Sequence, residues 1–248
     1  MAYESGFASV YDRFTDDVEY ARRAEYLLGL LKEGGVDKGI LLDAACGTGT
    51  LTALLCGRGF EIIAADCSPD MLQIAREKLR EADPDALVLC QDMRELDLYG
   101  TVDGAVCTLD SVNHLIEIDD VARAFARIGL FIRPGGLFIF DVNTLYKHEA
   151  VLSGNTFVYE DEDALLVWQN SECEDGAVDY LIDIFTTADG VNYQREQEAF
   201  SERAYDLKTL KKLLTECGFA VEGVYGDLTR EAPGEEEERV CFVARKLS

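Results

Sequence analysis

Positive charge is scarce in this sequence of 248 residues, where 23 lysines and arginines face 48 aspartates and glutamates and leave a formal net charge of −25. Affinity for nucleic acids comes largely from lysine and arginine side chains that neutralise phosphates. We therefore expect no nucleic acid and no anionic membrane as a partner. The surplus of acidic side chains is most simply a solubilising surface.

Histidine and paired cysteines are also scarce. Two histidines, His114 and His148, leave little material for a metal centre, and no metal is expected. The eight cysteines include no C-x-x-C pair, and four of them lie inside or beside predicted strands: Cys46, Cys67, Cys90 and Cys107. This usage is typical of small buried apolar residues in a reducing compartment, and not of disulfides or a zinc site.

Long apolar runs are absent as well. The first fourteen residues, MAYESGFASVYDRF, lack the basic region and apolar block of a signal peptide, and no apolar run is long enough to span a bilayer. We expect a cytoplasmic protein with no membrane partner.

Short apolar runs alternate with helical patterns in the first part of the chain. A helical pattern at Asp17–Lys32 comes first. The runs follow at Ile40–Leu42, Glu61–Ala65, Ala86–Cys90, Gly104–Thr108 and Leu137–Phe140, and the later helical patterns lie at Leu51–Cys56, Pro69–Ala82 and Asp119–Ile132. Apolar strands that alternate with helices indicate a parallel sheet covered on both faces.

The pattern changes after residue 150. Asn155–Arg203 alternates polar and apolar residues and predicts three or four antiparallel strands with one packed face. Helical spacing returns at Leu207–Glu216, and two closing strands are predicted at Phe219–Tyr225 and Val240–Arg245. We therefore divide the chain at residues 1–35, 36–150, 151–205 and 206–248.

The glycines in Asp43–Thr52, DAACGTGTLT, lie between a predicted strand and a predicted helix. A Walker-type phosphate loop needs a lysine after its second glycine, and none is present here. A dinucleotide-binding fingerprint needs a third small residue where this chain has Thr52. No tyrosine has a lysine four places later, as short-chain dehydrogenases require, so an NAD(P)-dependent reductase is the weaker alternative.

The D-x-A-x-G-x-G pattern that begins at Asp43 is followed by an acidic strand end at Asp66 and by QDMREL at Gln91–Leu96. In this order the segments resemble the class I, seven-strand S-adenosylmethionine-dependent methyltransferases. The resemblance implies an α/β fold: a Rossmann-like, seven-stranded, mostly parallel sheet with helices on both faces and an antiparallel C-terminal hairpin. This chain departs at Ala45, where many members have glycine, and we expect a slightly wider turn there.

The resemblance implies that S-adenosylmethionine is the cofactor and gives each position a role. Gly47 would let the backbone approach the methionyl end, whose carboxylate the following helix N-terminus favours. Asp43 would receive the ammonium group, and Asp66 would accept the ribose hydroxyls. The implied cofactor-binding residues are Tyr11, Tyr20, Asp43, Ala45, Gly47, Asp66, Cys67, Met71, Asp92, Met93 and Leu109.

The adenine end has competing interpretations. Met71 would lie against adenine, or it is plain core packing. Asp92 would take the adenine amino group, with the backbone amide of Met93 on a ring nitrogen, or Asp92 is a solvated loop residue. Asp66 could instead serve only as a helix cap before Ser68.

The acceptor region is expected at the end of the fourth strand, in CTLDSVNHL. No Asp/Asn-Pro-Pro-Tyr/Phe motif is present, so methylation of nucleic-acid bases is not expected. The SVNHL stretch is similar to the corresponding segment of sugar N-methyltransferases. By that likeness His114 is a candidate base; a helix-start histidine hydrogen-bonded to backbone is the alternative. The N-terminal segment resembles the lid of small-molecule methyltransferases, and this resemblance implies that Tyr11, the other catalytic candidate, lies near the sulfonium.

Together these features predict transfer of a methyl group to a nitrogen or oxygen nucleophile of a small molecule. Residues 1–35 would form lid helices, 36–150 the cofactor-binding core, 151–205 an inserted antiparallel cap and 206–248 a helix with the closing strands. The insertion could instead be the surface of a homodimer. A protein that binds the cofactor without transferring a methyl group is the third hypothesis.

Overall fold

The computed structural model of the chain describes residues 5–15 and 18–247. Its α-helices are α1 (Ser5–Tyr11), α2 (Tyr20–Glu33), α3 (Thr50–Leu55), α4 (Pro69–Ala82), α5 (Ile118–Phe131) and α6 (Leu207–Glu216). A 3₁₀ turn at Asp12–Phe14 follows α1, and a π-helical turn occupies Lys147–Leu152.

The larger sheet has seven strands: β1 (Gly39–Ala44), β2 (Phe60–Asp66), β3 (Leu87–Cys90), β4 (Val102–Cys107), β5 (Ile132–Asn143), β10 (Phe219–Gly226) and β11 (Arg239–Lys246). Their order is β10-β11-β5-β4-β1-β2-β3. β1 to β5 pair in parallel, and β11 pairs antiparallel with both β5 and β10. The predicted fold class, with its antiparallel C-terminal hairpin, is confirmed.

Alternate residues along the strands pack against helices on opposite faces. Leu42 and its neighbours in the sheet contact α5 and α6, whereas Leu41 belongs to the cluster formed with α2, α3 and α4. Both leucines are fully buried, and so are Phe138 and Phe140 of β5. A sheet covered on both faces exposes its carboxyl-end loops as the place where a ligand can bind.

Helix starts follow local sequence signals. Ser68 caps α4 by accepting a hydrogen bond from the Met71 amide at 3.3 Å, and Pro69 is the first helical residue, as the sequence predicts. α2 begins at Tyr20, because Glu19 before it has a φ of 54°; the earlier start predicted at Asp17 lies outside the described residues.

β5 is longer than the apolar run predicted. α5 ends at Phe131, and the strand starts at once with Ile132. The Pro134-Gly135 pair, a sequence typical of a helix end, therefore lies inside the strand. The pairing of β4 with β5 shifts register between Val102 and Gly104, which accommodates the irregular start.

Residues after 150 form the second, antiparallel sheet: β6 (Thr156–Glu160), β7 (Ala164–Asn170), β8 (Ala177–Thr187) and β9 (Tyr193–Arg203). The four strands pair in sequence order. Their inner face packs on α1 through Phe7, Val10, Leu166 and Phe200. The alternating pattern thus produced a sheet with one packed face.

None of the eight cysteines, which all lie within residues 18–247, forms a disulfide. Cys46 and Cys107 are buried as expected, but Cys90 is exposed, because β3 is an edge strand of the sheet. Across the ranges 5–15 and 18–247, no helix has the length and apolar character needed to cross a membrane.

Candidate functional site

Two adjoining cavities lie at the carboxyl ends of the parallel strands. The first cavity encloses about 990 Å³, counting its open mouth, a size typical of cofactor sites. All twelve residues that the sequence singled out line it: Tyr11, Tyr20, Asp43, Ala45, Gly47, Asp66, Cys67, Met71, Asp92, Met93, Leu109 and His114. Eight further lining residues were missed: Cys46, Thr48, Thr50, Leu51, Gln91, Thr108, Ser111 and Leu115.

Three residues of the turn after β1, Ala45, Gly47 and Gly49, have positive φ. Ala45 has a φ of 72°, in the left-handed region where a non-glycine residue is strained. The amides of Ala45 and Cys46 both donate to the Ala65 carbonyl, at 2.7 and 2.9 Å, and hold the turn against β2. Alanine thus occupies a glycine conformation here. A side chain at Gly47 would meet nothing within 4 Å, so the backbone there is bare toward open space.

Asp43 is a buried carboxyl group at the end of β1. The Thr52 hydroxyl donates to its Oδ2 at 2.6 Å, and only 3% of the residue is exposed. Burial raises the pKa of Asp43 to about 6. Thr52, which does not fit a dinucleotide fingerprint, therefore has a positive role as the partner of this carboxyl group.

Asp66 accepts two backbone hydrogen bonds at the end of β2. The Gly47 amide donates to one carboxylate oxygen at 2.9 Å and the Ser68 amide to the other at 2.8 Å. Burial raises the pKa of Asp66 above its ordinary value, and these amides oppose the rise. The helix cap is Ser68, and each Asp66 oxygen keeps acceptor capacity for a ligand hydroxyl.

Asp92 is partly exposed to solvent and also has a protein partner. The Arg94 guanidinium grips it through Nε at 3.0 Å and Nη2 at 2.6 Å, and this contact lowers the pKa of Asp92. Arg94 also pairs with Asp120 of α5 at 2.6 Å. Met71 is 1% exposed and packs in the core while also lining the cavity, a position compatible with both of its predicted roles.

The N-terminal segment and the start of α2 border the first cavity. Tyr11 and Tyr20 line it, and the Tyr20 hydroxyl is 3.1 Å from that of Thr15. Asp12, which the sequence reading missed, accepts the hydroxyls of Thr48 and Thr50 at 2.7 and 2.8 Å.

Ion pairs, including one between Arg13 and Asp163, also anchor this segment. Asp12 pairs with Lys78 of α4, and Arg13 donates to Asp161 of the β6–β7 turn at 2.6 Å. The segment is thereby tied both to the glycine turn and to the second sheet.

The second cavity, of about 940 Å³, shares Tyr11 and Leu109 with the first. It lies between the N-terminal segment, the ends of β4 and β5, and the inner face of the second sheet. Its other lining residues are Phe7, Phe14, Thr15, Val18, Asp110, Asn143, Lys147, Leu152, Tyr159, Leu166, Trp168, Tyr180, Ile182, Phe200, Glu202 and Arg239. The shared residues, Tyr11 and Leu109, mark the junction of the two cavities.

Aromatic rings form one wall of the second cavity. Trp168 stacks on Tyr180 with centroids 5.4 Å apart, and Tyr180 stacks on Phe200 at 4.8 Å. Phe200 in turn lies 5.2 Å from the His114 ring. The ladder runs across three strands and ends at the junction of the cavities.

Glu202 is the buried polar centre of this region. Tyr180 donates its hydroxyl to Oε2 at 2.9 Å, and the Asn143 amide nitrogen lies 3.3 Å from the same oxygen. His114 Nε2 is 3.5 Å from Oε1 and His148 Nε2 is 3.8 Å from Oε2. Both histidines of the chain therefore converge on one carboxyl group.

Burial controls the protonation of this group and its neighbours. Burial, with the Asp110 charge adding to it, raises the pKa of Glu202 to about 8. Burial lowers the pKa values of His114 and His148 to about 4. At neutral pH both imidazoles are uncharged, and Glu202 lies within about one unit of its midpoint.

Asn113 explains why the His114 turn and β9 meet. Its side-chain amide donates to the carbonyls of Asn143 and Arg203, at 3.1 and 3.0 Å, and accepts the Asn143 amide at 2.9 Å. The Arg203 amide donates back to the Asn113 carbonyl at 2.8 Å. These bonds join the neighbours of His114 and Glu202 in the chain.

A buried charge network lies beneath the junction. Arg239 pairs with Asp110 at 3.0 Å and with Asp141 at 2.7 Å. Although burial opposes ionisation, the Arg239 charge holds the pKa of Asp110 below its ordinary range. Leu109 and Asp110 have φ values of 57° and 56°, consecutive strained residues held where the cavities join.

Trp168 of the inserted segment lines the second cavity, whereas four other aromatic or arginine residues of that segment line neither cavity. Tyr193 is exposed, Arg195 pairs with Asp183 at 2.6 Å, and the Tyr205 hydroxyl and the Arg203 guanidinium donate to backbone carbonyls. Within the described residues, no group of three or more His, Cys, Asp or Glu side chains is arranged to hold a metal ion.

Known proteins resemble this chain in sequence and structure. A family model for a methyltransferase domain matches residues 41–136. A Bacillus subtilis (strain 168) protein named "Putative methyltransferase YqeM" is 34% identical over 248 residues, covering 99% of this chain and 98% of that protein. The dTDP-3-amino-3,4,6-trideoxy-alpha-D-glucopyranose N,N-dimethyltransferase of Streptomyces venezuelae is 31% identical over 139 residues, covering 55% of this chain and 52% of that enzyme.

The crystal structure of an S-adenosylmethionine-dependent methyltransferase from Clostridium acetobutylicum ATCC 824 matches with a TM-score of 0.90 and 32% identity, over 98% of each chain. A reductase is not favoured by any of these similarities. The chain therefore belongs to the S-adenosylmethionine-dependent methyltransferases and transfers a methyl group from that cofactor to a small molecule.

Proposed function

We propose that S-adenosylmethionine binds in the first cavity and that the acceptor, an amine, binds in the second and is methylated on nitrogen. The observation that carries the proposal is the buried Glu202 carboxyl, held beside the junction of the cavities and 3.5 Å from His114. An amine needs a group that accepts its proton before its lone pair can react.

The residues of the first cavity suit the cofactor. The open space at Gly47 admits the methionyl end, and Asp43 offers its ammonium group a buried carboxylate. Asp66 has acceptor capacity for the two ribose hydroxyls. Ala45 and Tyr20 border the methionyl end in this proposal.

The adenine ring is assigned to the space beside β2 and β3. Met71 and Cys67 would contact its faces, and the Met93 amide would meet a ring nitrogen. Asp92 would accept the amino group with the capacity that Arg94 leaves, since its carboxylate stays ionised.

The cofactor supplies an electrophilic methyl group on a positive sulfur, which leaves as a neutral thioether. The acceptor nitrogen gives a proton to Glu202, and its freed lone pair forms the new C–N bond as the C–S bond breaks. Tyr11 and Leu109 line both cavities and would align the reacting atoms there.

Glu202 suits the role of base better than His114 does. A proton acceptor works best when its pKa lies near the working pH. The pKa of Glu202 is about 8, whereas that of His114 is about 4, so the imidazole holds a proton far less well. We assign His114 to orienting the carboxyl group and the acceptor.

The remaining expectations stay part of this proposal. The acidic surface disfavours nucleic acid, and a reducing cytoplasm suits eight cysteines that form no disulfide. Use of the second sheet as an acceptor wall leaves its outer face for a homodimer contact.

The test is methyl transfer from the tritiated cofactor to pooled small amines and alcohols, with product masses assigned. We expect labelled N-methyl products, cofactor binding that survives His114→Ala, and turnover that falls in that variant. Labelled O-methyl ethers alone would overturn the assignment to nitrogen. Cofactor binding with no transfer to any metabolite would favour a catalytically silent protein.

A further inference from the structure

Lys147 stands apart from the other charged groups of the second cavity. It begins the π-helical turn after β5, and its Nζ donates to Asn143 Oδ1 at 3.2 Å. Among the described residues it has no carboxylate within the 4 Å of an ion pair, whereas Arg239 in the same cavity has two. Arg239 is thus paired with protein carboxylates, whereas Lys147, the other cation that lines this cavity, is not.

The surroundings leave this ammonium with little solvation. Burial lowers the pKa of Lys147, and the nearby Arg239 charge adds to the effect. The charges of Asp110, Glu202 and the solvent-exposed Glu238 oppose it from a longer distance. Asp110, however, is paired with Arg239, and Glu202 is largely protonated at neutral pH because its pKa is about 8. A partly buried cation that donates to an amide oxygen but has no carboxylate partner among the described residues favours a ligand that brings a negative charge.

Asn143 sets the spacing between this cation and the proposed base. Its amide oxygen accepts from Lys147, and its amide nitrogen lies 3.3 Å from Glu202 Oε2. One side-chain amide therefore separates the ammonium group from the carboxyl group that faces the acceptor nitrogen. The Trp168–Tyr180–Phe200 ladder covers the adjoining wall with apolar surface.

We infer that the second cavity contains an anion subsite centred on Lys147, and that the methyl acceptor carries a carboxylate or phosphate group there in addition to an apolar body. The inference rests on the proposed use of this cavity by the acceptor. An anion subsite at Lys147 restricts the methyl acceptors to acidic compounds. If the acceptor is an amine, its acidic group lies a few bonds from the nitrogen that is methylated. A charge-assisted contact of this kind strengthens binding by about tenfold to a hundredfold.

The probes are benzoate, phenyl phosphate and uncharged benzyl alcohol, which share one ring. Each is titrated by calorimetry into the protein saturated with S-adenosylhomocysteine. We expect benzoate or phenyl phosphate to bind about tenfold or more tightly than benzyl alcohol. The stronger of the two anions identifies the subsite as one for carboxylate or for phosphate.

Three variants assign the effect to Lys147. Lys147→Met should abolish the preference for the anion, and Lys147→Arg should retain it in part. Lys211→Met, which removes an exposed lysine of α6, should leave it unchanged. Thermal melts check that each variant is folded.

Equal binding of benzoate, phenyl phosphate and benzyl alcohol to the native protein would overturn the inference, and so would an anion preference that survives in Lys147→Met. Either result leaves methylation of neutral amines intact as a function. Conversely, loss of anion binding in Lys147→Met with only O-methylated products would support the subsite and overturn the assignment to nitrogen.

Discussion

His114 and Glu202 face each other across the junction of the two cavities, with Nε2 and Oε1 3.5 Å apart. His114 lies in the turn that follows β4 of the seven-stranded sheet. Glu202 is the last residue but one of β9, in the four-stranded sheet. Burial moves their pKa values in opposite directions, to about 4 and about 8. A neutral imidazole beside a carboxyl group that titrates near neutrality is suited to accepting one proton from a substrate.

Glu202→Gln should lower kcat/KM by about a hundredfold or more, because a general base contributes that much to proton transfer. The amide keeps an oxygen for the Tyr180 hydroxyl, so folding should survive. The ratio of native to variant kcat/KM should rise with pH up to about 8 and then level off, since the carboxylate form increases through its pKa.

Taking this ratio cancels the titration of the acceptor amine itself, which both proteins share. The groups facing Glu202 are His114, His148, Tyr180 and Asn143, with Asp110 and Lys147 acting at longer range. A ratio that stays flat from pH 6 to pH 9 would remove Glu202 from proton transfer.

The residues of the first cavity could be predicted from short sequence motifs. Asp43, Gly47 and Asp66 lie within one strand–helix–strand unit, and a parallel sheet brings its strand ends to one edge whatever the rest of the chain does. However, the sequence pattern predicts neither the hydrogen bond from the Thr52 hydroxyl to Asp43 nor the ion pair between Arg94 and Asp92. The first contact depends on the orientation of Thr52 in α3, and the second depends on the conformation of the loop after β3.

The second cavity could not be predicted in the same way. Glu202 and His148 look like ordinary polar residues in the sequence, and they meet His114 only because Asn113 bonds to the ends of β5 and β9. Which face of a four-stranded sheet packs inward is readable from alternation. Which loop of the other sheet it packs against depends on contacts between distant segments.

Asp43→Asn should make stability less dependent on pH. In the native protein without cofactor, the folded-state pKa of about 6 exceeds the ordinary value of 3.8, so the folded state binds more protons in between. Stability from this group is full below pH 4 and is lost as the pH rises through 6. Over that window, the free energy of unfolding of the native protein should fall by about 3 kcal/mol relative to the variant.

Urea titrations of both proteins at pH 4, 5, 6 and 7 measure this difference. Glu61→Gln, at an exposed position of β2, serves as the control and should follow the native curve. A native curve parallel to that of Asp43→Asn across the window would mean that the carboxyl group is not desolvated as described.

Asp66→Asn should weaken cofactor binding. The charged acceptor for the ribose hydroxyls is lost, and the new amide nitrogen faces the amide of Gly47 or Ser68, both of which are donors. We expect the Kd for S-adenosylhomocysteine to rise by about tenfold to a hundredfold in calorimetry. An unchanged Kd in a folded variant would take Asp66 out of the binding site.

Ala45→Gly should stabilise the protein. The native φ of 72° strains an alanine but not a glycine, and removing that strain outweighs the greater freedom of glycine in the unfolded chain. An increase of about 0.5–1 kcal/mol in the free energy of unfolding is expected. Gly47→Ala is the opposite change at a φ of 54° and should destabilise. A loss of stability in Ala45→Gly would show that the methyl group makes contacts worth more than the strain.

Asp12→Ala should weaken cofactor binding although Asp12 does not line the first cavity. The change removes the contacts with Thr48, Thr50 and Lys78 that hold the N-terminal segment on the glycine turn. If the segment is then in place only a tenth of the time, the apparent Kd for S-adenosylhomocysteine rises about tenfold. A protease should cleave the Asp12→Ala variant near the N-terminus faster than the native protein. S-adenosylhomocysteine should protect the variant from this cleavage less than it protects the native protein.

Arg13→Ala provides the matched comparison, because it releases the same segment only from Asp161 and Asp163 of the second sheet. Both of those ion pairs are exposed and contribute little. Arg13→Ala should therefore leave the Kd within about twofold of the native value. Equal losses of affinity in the two variants would place the anchor at the second sheet, and no loss in Asp12→Ala would mean that the segment needs no anchor at the glycine turn to cover the cofactor.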